Sequence, residues 1–236
     1  MEIITSFFLT IIASLSSMIG YFLTYIKIKR KDYIIIISLS FAFSVMILIS
    51  LKELIPISLF YLINNISFIY ILLIPIIIYN IISILNKNLE NQNSLYRVGV
   101  LSMIVMIIHN ILEGTVTFMS SYIDLHIGIK MTLAIIAHNI PEGILISMPI
   151  YYSTKSRGKA FIYTSIAALC EVFGALLIYL IFKTYINYLI INIFLYIIGC
   201  IMITISFKEI LPEIIKYNNK LLFMLGIILS LFILLI

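Results

Sequence analysis

The chain has 236 residues, of which 63% are hydrophobic and 11% charged, whereas a soluble domain has about 25% charged residues. This composition leaves too few polar residues for a water-facing surface, so it excludes a soluble globular protein and indicates an integral membrane protein. The net charge of +5 does not indicate a nucleic-acid partner, because the basic residues lie between apolar segments, where they set orientation.

Eight apolar segments are long enough to be transmembrane helices, which need about 20 residues each. None of them alternates polar with apolar residues, which argues against barrel strands. In chain order they cover residues 3–26, 33–62, 67–85, 97–121, 128–152, 160–183, 186–215 and 220–236. We therefore predict one transmembrane domain, residues 1–236, that is all-α and multi-pass in the cell inner (cytoplasmic) membrane.

The basic residues are distributed unevenly between alternate connections. Only Lys130 and Lys183 lie on the side of the even connections, and most other bases lie on the side of the odd ones. The bases of the odd connections are Lys27, Lys29, Arg30, Lys31, Lys87, Arg97, Lys155, Arg157, Lys159, Lys216 and Lys220. Because basic loops stay in the cytoplasm, this asymmetry predicts cytoplasmic odd connections and both termini outside.

Two short sequences occur twice in the chain. The sequence SLKELIPI begins at Ser50 in the second segment, and the similar SFKEILPE begins at Ser206 in the seventh. The pattern HNxxEG begins at His109 in the fourth segment and at His138 in the fifth. Each pair lies on segments that cross the membrane in opposite directions, as in transporters with inverted-topology repeats and a substrate site near the midplane.

Polar residues cluster at the middle of three segments. Ionisable side chains at this depth are costly and are candidate functional residues. The fourth segment has His109, Asn110 and Glu113, and the fifth has His138, Asn139 and Glu142. The sixth segment adds Glu171. Since every lysine and arginine lies near or beyond a segment end, these glutamates need either a proton or a bound cation.

The spacing and chemistry of these residues predict a metal site. Residues three and four apart share one helix face, so each motif presents an imidazole, a carboxamide and a carboxylate together. Two such faces form a nitrogen and oxygen ligand set that suits zinc, iron, manganese or cobalt better than magnesium or calcium. A set without thiolates is also expected of a site that must release its ion.

Three other interpretations remain open at this point. In the first, the polar residues only form hydrogen bonds between helices. In the second, they are the ligands of an intramembrane metal hydrolase, and in the third they line a passive divalent-cation channel. The doubled, antiparallel motif favours a transporter, and the chain contains no HExxH sequence of a metal hydrolase.

Further acidic residues are candidates for an ion path. Glu53 is expected near the outer mouth of the ion path, and Glu209 and Glu213 are expected near its cytoplasmic exit. Alternatively, these glutamates are only charges at the membrane interface. Asp124 and His126 are expected in an outer loop, either to capture metal or simply as solvated residues.

With both HNxxEG motifs and Glu171 followed by Gly174, the sequence resembles the ZIP (Zrt/Irt-like) family of metal transporters, most closely its bacterial ZupT-type members. The resemblance implies a 3+2+3 arrangement of helices, metal uptake into the cytoplasm, a homodimer and an elevator-like or rocking motion. It also implies a transporter and not an enzyme, with no cofactor, that binds zinc or iron, manganese, cobalt or cadmium as substrate.

The same resemblance implies two metal subsites. The first would comprise His109, Glu113, His138 and Glu142, and the second would comprise Asn110, Glu113, Asn139, Glu142 and Glu171. The sequence departs from the family pattern at Leu112 and Val172, where relatives often have proline.

Overall fold

The computed structural model describes residues 2–26, 30–182 and 188–233, and the regular elements in these ranges are all helical. The first helices are α1 (Glu2–Phe22 with the turn Leu23–Tyr25), α2 (Lys31–Ile49, Ser50–Leu54 and Ile55–Asn65), α3 (Phe68–Asn88) and α4 (Ser94–Ile123). The others are α5 (Leu125–Thr154), α6 (Arg157–Leu177 with Ile178–Phe182), α7 (Tyr188–Ile205, Ser206–Ile210 and Leu211–Lys216) and α8 (Lys220–Ile233).

Helices α1 to α7 are long and apolar enough to cross a membrane, and α8 contributes a shorter apolar helix, Lys220–Leu231, within the described residues. Each helix overlaps one of the eight predicted segments. The prediction of an all-α, multi-pass membrane protein is therefore confirmed. The bases Lys27 and Lys29 and the predicted segment ends at Lys183, Ile186 and Ile236 lie outside the described residues.

The helices of the described residues pack in two groups of four. Helices α1, α4, α5 and α6 contact one another extensively, and α2, α3, α7 and α8 form the second group. Within the first group, α1 lies against α5 in the way that α6 lies against α4. Within the second group, α8 lies against α2, and α3 lies against α7. The two motif helices, α4 and α5, thus form the centre of the first group.

Glycines allow α4 and α6 to touch backbone to backbone. A Cβ atom at Gly114 would lie 1.7 Å from the carbonyl oxygen of Glu171, and one at Gly174 would lie 2.0 Å from that of Ile111. Real side chains cannot occupy such positions, so only glycine permits this approach, as is common between membrane helices. The contact holds Glu171 close to the α4 motif.

Helices α1 and α5 approach each other through an equivalent pair of glycines. A Cβ atom at Gly143 would lie 1.8 Å from the carbonyl oxygen of Ser17, and one at Gly20 would lie 2.4 Å from the amide nitrogen of Ile144. The final glycines of both HNxxEG motifs, Gly114 and Gly143, and Gly174 of α6 thus all lie at close helix contacts. Gly20 is a further member of the set.

A single residue connects α4 to α5 and sets their alignment. Asp124 ends α4, and its carboxylate accepts hydrogen bonds from the amides of His126 and Ile127, which begin α5. His109 lies 15 residues before Asp124 and His138 lies 14 residues after it. At 1.5 Å per residue the two motifs differ in depth by only about 1.5 Å. The connection therefore brings the two motifs to the same level.

The repeated sequence in α2 and α7 has the same local structure in both copies. The residues Ser50–Leu54 and Ser206–Ile210 each form a π turn. Each turn ends two residues before a proline, Pro56 or Pro212, whose missing amide interrupts the regular hydrogen-bond ladder. The similarity of the two sequences is thus accompanied by a similarity of backbone.

We expect Gly20→Ala to destabilise the protein by about 1 to 3 kcal/mol, because the new methyl group forces the backbones of α1 and α5 apart. The measurement is the thermal unfolding of the purified protein in detergent. Gly158→Ala is the matched control, since a Cβ atom there has only Ser156 Oγ nearby, at 3.8 Å. An unchanged unfolding temperature for Gly20→Ala would contradict the tight packing.

Candidate metal centre

Two histidines and two glutamates meet between α4 and α5. His109, Glu113, His138 and Glu142 each offer one ligand atom, and these four atoms all lie within 4.8 Å of one another. All four side chains are buried, with at most 2% of their surface exposed. The arrangement follows from the i, i+4 spacing within each motif and from the equal depth of the motifs on either side of Asp124.

The ligand atoms converge on one point. His109 Nε2 lies 2.9 Å from Glu113 Oε1 and 2.9 Å from Glu142 Oε1, and His138 Nε2 lies 2.5 Å from Glu113 Oε1. Despite these distances, His109 Nε2 and both oxygens of Glu142 have no hydrogen bond of acceptable geometry within the described residues. His138 Nε2 and Glu113 Oε1 are hydrogen bonded to each other. A close cluster of nitrogen and oxygen atoms, three of which have no hydrogen-bond partner among the described residues, is the arrangement expected of metal ligands.

The chemistry of these four residues fits a divalent transition-metal ion. Two imidazole nitrogens and two carboxylate oxygens match the tetrahedral ligand set of zinc, in which metal–ligand distances are about 2.0 to 2.2 Å. The two carboxylates balance the charge of a divalent ion. Histidines supply the only ion-pair contacts recorded for these glutamates in the described part of the chain, so no permanent cation competes for the site.

Asn110, Asn139 and Glu171 form a second polar group beside the first. The Asn110 amide donates to the carbonyl oxygen of Ala167 at 2.9 Å, and the Asn139 amide donates to Ala13 O at 3.0 Å and Glu171 Oε2 at 2.8 Å. Within residues 2–26, 30–182 and 188–233, no hydrogen-bond partner is found for Oδ1 of either asparagine or for Glu171 Oε1. Three buried oxygens are therefore free to accept a cation.

A cavity of about 80 Å³ extends from the first group of residues. Glu113 and His138 line one part of it, and Glu53 of α2 and Met131 of α5 line another. Met131 lies closer along α5 to the Asp124 connection than His138 does. The cavity thus leaves the centre on the side of Asp124, and the predicted path residue Glu53 lies on it.

Glu209 and Glu213 lie toward the opposite end of the molecule. Glu213 accepts a hydrogen bond from Ser94 at the start of α4, at 3.3 Å, and pairs with Lys216 at 2.6 Å. Glu209 is 97% buried, and Arg97 and Lys208 are among the bases that face it. Neither residue lines the cavity at the four-residue centre.

The predicted outer loop around Asp124 and His126 is wrong in one respect. Asp124 is the only residue between α4 and α5, and its carboxylate caps α5. His126 is exposed in the first helical turn. The N-cap aspartate begins α5 three residues earlier than expected, because its side chain satisfies amides that a loop would leave to water.

The contribution of α1 to the site was not predicted from the sequence. The carbonyl oxygen of Ala13 holds the Asn139 amide, and Ser14 Oγ donates to Ala168 O on α6 at 2.8 Å. The available signal was a buried stripe of small residues at helical spacing. These residues are Ser6, Thr10, Ala13, Ser14, Ser17 and Gly20.

Comparison with known proteins points to one family. The family model described as ZIP Zinc transporter matches residues 83–235. A protein named zinc transporter ZupT from Streptococcus mutans is 34% identical over 96% of this chain and 94% of its own length. Proteins of the same name from Oceanobacillus iheyensis and Clostridium perfringens are 42% and 39% identical, but over only about half their lengths, with 50% and 48% covered.

We expect His109→Ala to weaken Zn²⁺ binding by at least about 100-fold. Loss of a group that only supports a ligand lowers metal affinity about 10- to 100-fold, and loss of a direct ligand is expected to lower it further. The measurement is calorimetric titration of the detergent-solubilised protein. His126→Ala is the matched control because it removes an exposed imidazole and is expected to bind zinc like the unaltered chain. Equal losses in the two variants would contradict the assignment of the centre.

Proposed function

The chain belongs to the ZIP zinc transporter family, and on that premise we propose that it carries divalent transition-metal ions, zinc foremost, through the buried centre on α4 and α5. Iron, manganese, cobalt and cadmium suit the same ligand types. The observation that carries this proposal is the convergence of His109, Glu113, His138 and Glu142 in the interior of a membrane-spanning bundle. The family membership also makes it a transporter and not an enzyme.

The proposed direction of transport is into the cell across the cytoplasmic membrane, with both termini outside. The distribution of bases between odd and even connections supports this orientation. In it, Glu53 faces the outer side of the centre and Glu209 and Glu213 face the cytoplasmic side. Since the cavity reaches the centre from the side of Glu53, an ion would arrive from outside through it.

A 3+2+3 arrangement with inverted repeats is part of the proposal. The packing pattern supports it. The contact of α1 with α5 has its counterpart in the contact of α6 with α4, and the contact of α2 with α8 has its counterpart in the contact of α7 with α3. These counterparts match α1, α2 and α3 with α6, α7 and α8, and α5 with α4. The matching π turns of α2 and α7 are a second argument. Such repeats commonly alternate access by moving one helix group against another.

We also propose that a second ion binds at Asn110, Asn139 and Glu171, with Glu113 and Glu142 shared between the ions. The support is the set of buried oxygens without partners in the described chain. Both asparagine amides donate to main-chain carbonyls or Glu171, which turns their oxygens away from those contacts. An all-oxygen subsite beside a mixed one would favour different ions or binding strengths.

A homodimer in the bilayer completes the proposal. Helix α3 buries little of its apolar surface within the chain, so lipid or a second subunit must cover it. The comparisons do not favour the alternatives of an intramembrane hydrolase or a passive channel. A hydrolase would show turnover of lipid or peptide without ion movement, and a channel would show flux that does not saturate.

In proteoliposomes we expect saturable zinc flux that falls to background in Glu142→Ala and His109→Ala, because each variant removes a ligand from the centre. A zinc-sensitive dye trapped in the vesicles measures it. His126→Ala serves again as the control with full flux. Full flux in both ligand variants would refute transport through this centre.

We expect Glu53→Gln to slow zinc flux severalfold and to leave equilibrium zinc binding unchanged, because the carboxylate lies on the cavity but outside the four-ligand set. The comparison of initial rates with binding titrations separates the two effects. Glu2→Gln, an exposed carboxylate on α1, is the matched control. Flux like that of the unaltered chain would show that Glu53 is not on the path.

A further inference from the structure

A polar cavity of about 340 Å³ lies far from the metal centre, where α3 ends and α4 begins. Ser83, Asn86, Lys87, Glu90 and Arg97 line it. These residues come from the last turns of α3, the following connection and the first turn of α4. The cavity therefore lies at one end of the helices, at the level where a membrane meets water, on the side with most of the bases.

The bases around this cavity are arranged to receive an anion. Lys208 of α7 donates from Nζ to Ser83 Oγ and lies over the Tyr79 ring, 4.1 Å from its centroid. Its ammonium group is thereby held at the lining of the cavity. Arg97 Nε is buried and has no hydrogen-bond partner among the described residues. Lys87 is exposed at the cavity rim.

The charges around the cavity do not cancel. The bases are Lys87, Arg97 and Lys208, and the acids are Glu90 in the lining and Glu209 behind it. A third base near Glu209, Lys216, already pairs with Glu213. With Glu209 ionised, the remaining net charge is +1, which complements one phosphodiester group. A metal ion would instead meet two ammonium groups and a guanidinium.

The surface beside the cavity favours a lipid as the source of that phosphate. Helix α3 exposes Ile76, Ile77 and Ile84 above the cavity, each with more than half of its surface accessible. The acyl chains of a lipid would lie against these residues while its phosphate meets the bases, so that one molecule would occupy both the cavity and the adjoining apolar surface. Basic pockets between helices at the cytoplasmic side are known to hold anionic lipid headgroups.

From this geometry we infer that the cavity binds the headgroup of a monoanionic phospholipid such as phosphatidylglycerol. The phosphate is held by Arg97, Lys87 and the Lys208–Ser83 pair. Arg97 belongs to α4, in the helix group with the metal centre, and Ser83 and Lys208 belong to α3 and α7, in the other group. A bound headgroup therefore bridges the two groups and stabilises this arrangement of them.

The test is native mass spectrometry of the full chain in detergent, titrated with dioleoyl phosphatidylglycerol or with the zwitterionic phosphatidylcholine of the same chains. We expect tighter binding of phosphatidylglycerol, weakened about fivefold by Lys87→Gln and at least as much by Arg97→Gln, from the typical contribution of one base at a membrane surface. Lys159→Gln removes an exposed base of an odd connection on α6 and should bind like the unaltered chain.

Two results would overturn the inference. The first is equal phosphatidylglycerol binding by all four proteins, which would indicate adsorption to charge in general. The second is displacement of the lipid by millimolar glycerol 3-phosphate, which would assign the cavity to a soluble phosphate. Because Lys87 is exposed, its variant is expected to fold, and an unchanged thermal unfolding temperature in detergent checks this. The result is independent of whether the chain transports zinc.

Discussion

Two carboxylates and two imidazoles occupy the buried interior of a membrane-spanning bundle, and the described residues provide no lysine or arginine partner for these carboxylates. A charge at the centre of a bilayer costs at least about 2.5 kcal/mol, so this group is unfavourable unless a proton or a metal ion compensates it. A transporter can use that property. In the proposed transport cycle the group would bind a cation because no lysine or arginine compensates its carboxylates, and it would release the cation when water or another site replaced the protein ligands.

The rest of the fold keeps these side chains in place without closing the site permanently. A single connecting residue, Asp124, puts both motifs at one depth. Glycine contacts hold α6 against α4 and α1 against α5, and carbonyl oxygens on α1 and α6 orient the two asparagine amides. The ligands are thus fixed within one helix group, whereas the cavity that reaches them is partly lined by α2 and α7 of the other group. Relative movement of the groups would change access without disturbing the ligands.

The sequence predicted the features that depend on local spacing. Each motif shares a face because its residues are three or four apart, and the hydropathy pattern located the helices to within a few residues. The role of α1 could not be predicted in the same way, because the carbonyl of Ala13 meets Asn139 across 126 positions of chain. The bond forms only because α1 packs against α5. Gly20 permits this packing, but the sequence alone does not show which helix packs against Gly20. The position of Glu53 on the cavity likewise depends on the packing of α2 against α5.

Histidines and glutamates of α4 and α5 are proposed to hold one metal ion jointly, and X-ray absorption at the zinc edge of the zinc-loaded protein tests this coordination. We expect a shell of nitrogen and oxygen atoms at about 2.0 to 2.1 Å, with the outer-shell scattering of two imidazole rings, reduced in His138→Ala. A sulfur shell at about 2.3 Å, or a spectrum without imidazole scattering, would contradict it.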